Sequence, residues 1–180
     1  MIGPIDFGPI ENLADKAWEV MKGSQPLYSA QSPPVANAVP QRIPFEKLSH
    51  WSPRPRIFRL RYSRDLMGKE PVRLIFRYSF WFGGRYQGHG QFIRNATVHA
   101  EDGHVAPLQR VDVSFKADTA VNIGTVEDPI AALDTFTDVQ HRFFYLLRYP
   151  VNIMATMYGN GTWHCEYPES VKVAETVATA

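Results

Sequence analysis

From Val72 to Phe82 the chain alternates without a break: Val72, Leu74, Phe76, Tyr78, Phe80 and Phe82 interleave with Arg73, Ile75, Arg77, Ser79 and Trp81. A period of two sends successive side chains to opposite faces of a strand. One face is therefore apolar enough to be buried, and the other carries cations, a hydroxyl and an indole. The segment needs a second layer to cover its aromatic face, so an isolated helix bundle is excluded.

The same alternation continues on both sides. Phe58, Leu60 and Tyr62 alternate with Arg59 and Arg61, and strands are expected at Gln109–Lys116, Val151–Tyr158 and Thr162–Tyr167, with a weaker one through Val171, Val173 and Val177. Gly159-Asn160-Gly161 marks a turn between two of these. A loop of Gly83-Gly84-Arg85 is expected to close the Val72–Ala100 hairpin, pairing Phe82 with Tyr86, Phe80 with Gly88, Tyr78 with Gly90 and Phe76 with Phe92. That register keeps aromatic rings on one face and lays two of them over glycines. The inward set is then Phe76, Tyr78, Phe80, Phe82, Phe92, Val111, Val113, Phe115 and Trp163.

Two stretches read differently. Pro9 to Gly23 has Ile10, Leu13, Ala14, Ala17, Trp18 and Met21 at three-and-four spacing, which predicts a short amphipathic helix. Asp128 to Tyr149 is read as a second helix, since Ile130, Leu133, Phe136, Phe143 and Leu147 suit a helical stripe, although its Phe143–Leu147 run suits a strand as well. Between the first helix and the strands, Ser24 to Arg56 holds seven prolines. Such a segment runs extended and reads as an arm laid over a surface, anchored by Tyr28, Ile43, Phe45 and Trp51. The expected architecture is mainly β: an antiparallel β-sandwich body over residues 56–180, with a jelly roll as one form of it, preceded by the helix and arm of residues 1–55.

Charge is unevenly placed. The chain carries a net +1, but Arg54 to Arg94 alone carries +8, leaving −7 for the remainder. Nine of the ten cations there are arginine, whose planar fork suits carboxylate or phosphate. Arg59, Arg61, Arg73 and Arg77 all leave the apolar face of their strands. With Trp81, Gln87, His89 and Gln91 they make the candidate interaction surface.

Enzyme signatures are missing. There is no Gly-x-Ser-x-Gly, phosphate loop, dinucleotide fingerprint or His-Glu-x-x-His. A single cysteine, Cys165, excludes an intramolecular disulfide and a paired-cysteine zinc site. In a strand His164 and Cys165 point to opposite faces, so they form no nucleophile–base pair, and Cys165 reads as a small core residue. His99, Glu101, Asp102 and His104 gather around an Asp-Gly turn and read first as a polar loop. Asn95-Ala-Thr97 and Asn160-Gly-Thr162 match glycosylation acceptors but read as chance matches. The start, Met1-Ile-Gly-Pro-Ile-Asp-Phe, lacks a basic and then apolar leader, and no run of about 18 apolar residues is present. A cytoplasmic protein, or one within an assembled particle, is expected, with no transmembrane segment and no cofactor.

In build, the helix, stiff arm and strand-rich body resemble capsid-type and other self-assembling β-sandwich proteins. The resemblance implies a non-enzymatic structural subunit that associates with copies of itself through its arm and basic strand face, with nucleic acid or another anionic surface as a further partner. Two rival readings remain open. One is a carbohydrate- or ligand-binding β-sandwich using the Trp81–His89 face. The other is a small enzyme assembled in space from His99, Asp102, His104 or His141.

Overall fold

The computed structural model describes residues 16–22, 35–40, 43–66, 69–118, 120–143, 147–168 and 172–178. In chain order its strands are β1 (Lys16–Lys22), β2 (Val35–Ala38), β3 (Leu48–Ser49), β4 (Arg56–Leu66), β5 (Lys69–Tyr86), β6 (His89–Val105), β7 (Gln109–Ala117), β8 (Val121–Asn122), β9 (Ala131–Phe143), β10 (Leu147–Tyr158), β11 (Trp163–Glu166) and β12 (Lys172–Ala178). A single 3-10 turn, Phe45–Lys47, interrupts them among the described residues. One antiparallel sheet has the order β12-β4-β5-β6-β2, with β3 added to β5. The other has the order β1-β7-β9-β10-β11, with β8 added to β9.

The two sheets share one core. Phe76 of β5 meets Phe115 of β7 edge-on, with ring centroids 5.9 Å apart. Phe58 of β4 stacks on Trp163 of β11 at 4.0 Å. The Tyr78 hydroxyl lies 2.7 Å from Thr137 Oγ1 across the layers. Phe76, Tyr78, Phe80, Phe92, Val111, Val113 and Phe115 are fully buried as the alternation predicts, while Phe82 and Trp163 are partly buried at the margin. Cys165 also packs against this core.

At one end main-chain hydrogen bonds stitch the layers together. The Gly83 N–H donates to the Gly159 carbonyl, the Gly159 N–H to Ala131 and the Gln91 N–H to Pro129, at 2.7–2.8 Å. A Cβ on Gly159 would lie 1.9 Å from the Gln91 carbonyl oxygen, so only glycine allows the chains to approach this closely.

Three expectations are corrected. The hairpin turns at Gln87-Gly88, whose φ values of 52° and 85° suit a type I′ turn. Register shifts between Ser79 and Tyr86 then replace the expected partners, giving Trp81 opposite Arg94, Gly84 opposite Phe92 and Tyr86 opposite His89. Each bulge adds a residue to one strand and inverts the parity on which the expected register rested. Aromatic cover over glycine does occur, with other partners: Trp51 lies over Gly84 and Phe92 over Gly90.

The stretch expected as a helix over 128–148 contains strand β9 and the start of β10. Its inward positions are Leu133, Thr135, Thr137, Val139 and His141. Three of these are polar, which hides the two-residue period and leaves the outward Phe136 to imitate a helical stripe. Each has a partner in the core: Thr135 Oγ1 donates to the Ala155 carbonyl, Thr137 meets Tyr78, and His141 Nε2 bonds Gln109 Oε1.

Lys16–Lys22, expected to be helical, pairs as a strand with β7. The rest of that expected helix lies outside the described residues, as do Tyr28 and the first prolines of the arm. The described part of the arm docks on its own body. Ala36 and Ala38 are buried against β6, β3 pairs with β5, and the Ser52 N–H donates to the Phe82 carbonyl.

Strands β4, β5 and β6 are neighbours in sequence and in the sheet, as are β9, β10 and β11. No helix of the described residues is long and apolar enough to cross a membrane.

Candidate interaction face

The outward face of β4, β5 and β6 carries the residues that leave the buried alternation. Arg59 lies directly opposite Arg77, which lies opposite His99, and Arg73 lies opposite His104. Like charges facing each other across a ladder are unfavourable. The register of β6 relieves this. Ile75 pairs with Asp102 and Phe76 with Ala100, so Glu101 is an extra, bulged residue between them. Its carboxylate receives Arg59 Nε and, at 2.8 Å, Arg59 Nη2, and it lies 3.8 Å from Arg77 Nη1. Arg61 donates to both oxygens of Glu70 at 2.7 and 2.9 Å, and Arg73 lies 3.8 Å from Asp102. All four predicted arginines thus share one face and have acidic neighbours within the same sheet.

The electrostatics follow from these pairs. The Arg59 hydrogen bond holds the Glu101 carboxyl below the usual carboxylate range, and the Arg61 hydrogen bond does the same for Glu70. Burial and the nearby Arg77 cation push His99 down, so it favours the neutral imidazole. Next along β5 and β6, the Ser79 and Thr97 hydroxyls bond at 2.7 Å.

Beyond them the face becomes aromatic. The Arg94 guanidinium carbon lies 4.7 Å from the Trp51 ring centre, 5.0 Å from Trp81 and 5.9 Å from Phe45. Phe45 stacks on Trp51 at 5.8 Å and is itself 44% exposed. The 3-10 turn positions Phe45, and the absence of a side chain on Gly84 lets the Trp51 indole lie against β5. Arg94 Nε is buried and has no hydrogen-bond partner among the described residues. The attraction of ring faces for a cation holds this arginine instead.

Of the predicted surface, Trp81 and the four arginines are gathered on this face. Gln87 sits in the hairpin turn, His89 is exposed beside it, and Gln91 bridges to Ile130 towards the second sheet. Sequence reading missed the roles of Glu101 and Arg94. A signal existed for the latter, since Phe45 and Trp51 stand out as apolar anchors in a polar arm and Arg94 belongs to the basic segment.

The histidines of the enzymatic reading do not converge. His99 lies on the outward face, Asp102 and His104 are exposed further along β6, and His141 is buried between the sheets. His164 is exposed 3.5 Å from Glu166. No group of three or more metal-ligating side chains occurs among the described residues. No family model, curated protein or solved structure matches this chain.

Proposed function

We propose that this chain is a non-enzymatic assembly subunit that associates with copies of itself through the outward face of β4, β5 and β6. The observation that carries the reading is the cluster of Phe45, Trp51, Trp81 and Arg94 on that face. Tryptophan and arginine are the residue types most enriched where protein interfaces draw their binding energy. Around the cluster, paired arginines and carboxylates supply both signs of charge, which suits a surface that must complement another protein.

The same pairing separates this reading from a nucleic-acid surface. Glu70, Glu101 and Asp102 already lie beside the arginines a phosphate backbone would need. A sugar-binding platform needs an open ring face, whereas Arg94 occupies one side of Trp81. A closed, capsid-like particle is the largest assembly the reading extends to. The described arm contributes by completing the face, because it brings Phe45 and Trp51 to the sheet.

Sedimentation velocity over a range of protein concentrations tests the proposal. The expected result is a mass that rises with concentration and falls back towards one chain in Trp81→Ala. A mass of one chain at every concentration would overturn it.

A further inference from the structure

We infer that the segment Val121–Glu127 is a preformed apolar knob that seats on the Phe45–Trp81–Arg94 patch of a second copy. This rests on the self-association reading and names the surface that the patch receives. Val121, Ile123 and Val126 are 52%, 53% and 56% exposed, three large aliphatic side chains within six residues. Scattered apolar residues on a surface are ordinary, but a group held on one rigid loop is not.

The loop is rigid because its polar groups are spent inward. Asn122 Oδ1 accepts from the Gly124 and Ile130 N–H groups, each at 2.9 Å, while its amide donates to the Thr125 carbonyl at 3.1 Å. The Ile123 N–H donates to the Ile130 carbonyl, and Thr125 and Asp128 exchange two further bonds. Any side chain on Gly124 would meet the Asp128 carbonyl oxygen at 2.4 Å, so the turn is built around glycine. A loop already ordered in this way loses little entropy on docking.

Charge and placement identify the partner. Glu127 is exposed at the side of the knob, and no ion pair forms on it among the described residues. Arg94, at the centre of the patch, lies against three rings and forms no ion pair among the described residues. Apolar plus acidic thus faces apolar plus basic. The two elements also sit at one end of the molecule: Asp128 accepts the Gly90 N–H at 2.8 Å, and Gln91 bridges Ile130. Arg94 follows Gln91 by about 10 Å of strand. Complementary surfaces side by side on one chain allow a two-fold contact in which each knob fills the other copy's patch, so both are satisfied at once.

The test uses the full chain in sedimentation equilibrium, with circular dichroism to check folding. Val126→Asp and Glu127→Arg should each weaken association at least tenfold, and Arg94→Glu should do the same. Glu127→Gln, which keeps the shape of the loop, should also weaken association and lower its salt dependence, which a merely misfolded loop would not do. If wild-type chain associates but both knob variants associate equally well, this inference falls and the self-association reading stands. If the wild-type chain stays monomeric, both fall.

Discussion

Arg59 and Glu101 meet fork to fork across the outward face, although β4 and β6 are separated by the whole of β5. The bulge at Glu101 is what makes this reach work, since it brings a carboxylate over the two facing arginines of the neighbouring strands. Glu101→Gln should therefore destabilise the chain at neutral pH by about 1 kcal/mol, a modest figure because solvent screens a partly exposed pair. The Glu101 carboxyl is held below its ordinary range, so its contribution is present above the unfolded value and disappears as pH falls through the folded one. Urea unfolding of both proteins at several pH values checks this. Equal stabilities at pH 7, or a difference that grows in acid, would refute the role given to the bulge.

His141 gives a second, separate pH dependence. Its ring is fully buried, and burial, followed by the Arg64 cation, lowers it from the ordinary 6.5 to about 4. A histidine lowered in the fold stabilises it fully above the unfolded value, and that stability is lost as pH falls from about 6.5 towards 4. The full loss amounts to about 3 kcal/mol. His141→Gln should flatten this part of the profile while leaving the Glu101 dependence at lower pH. An unchanged slope between pH 7 and 5 would mean that His141 is not the group responsible.

Two glycines separate crowding from backbone strain. Gly159→Ala would force a methyl group against the Gln91 carbonyl, where main chain stands on both sides and no side chain can move away. Gly88→Ala meets nothing within 4 Å among the described residues and suffers only from its φ of +85°. The first should lower stability by roughly 4 kcal/mol or more, because it opens the seam between the sheets. The second should cost about 1 kcal/mol. Thermal or urea midpoints that rank the two in the opposite order would contradict the seam.

The buried face of β5 was legible because its alternation is unbroken and wholly apolar. β9 was not, because Thr135, Thr137 and His141 face the core and each finds a hydrogen-bond partner there, a compensation invisible in one dimension. The hairpin register failed for a related reason: bulges around Gly83–Gly84 and Asn95 change parity, and the Asn95 N–H finds its partner in Asn37 of the arm. The arginines of the candidate face were found from their strand phase. Their counter-charges were not, since Glu101 and Asp102 lie just beyond the basic segment and return to it only through pairing of β5 with β6. The aromatic surround of Arg94 joins residues from the arm and two strands, which spacing alone cannot bring together.

The central claim is that the outward face of β4, β5 and β6 becomes covered by another copy. Hydroxyl-radical footprinting of the full chain, at concentrations spanning the change in sedimentation, reads this directly. Phe45 and Trp81 should lose reactivity as concentration rises, while Leu108, 61% exposed in the β6–β7 turn, should keep its own. Phe45 and Trp81 reacting equally at every concentration while the mass increases would place the contact elsewhere and contradict the account.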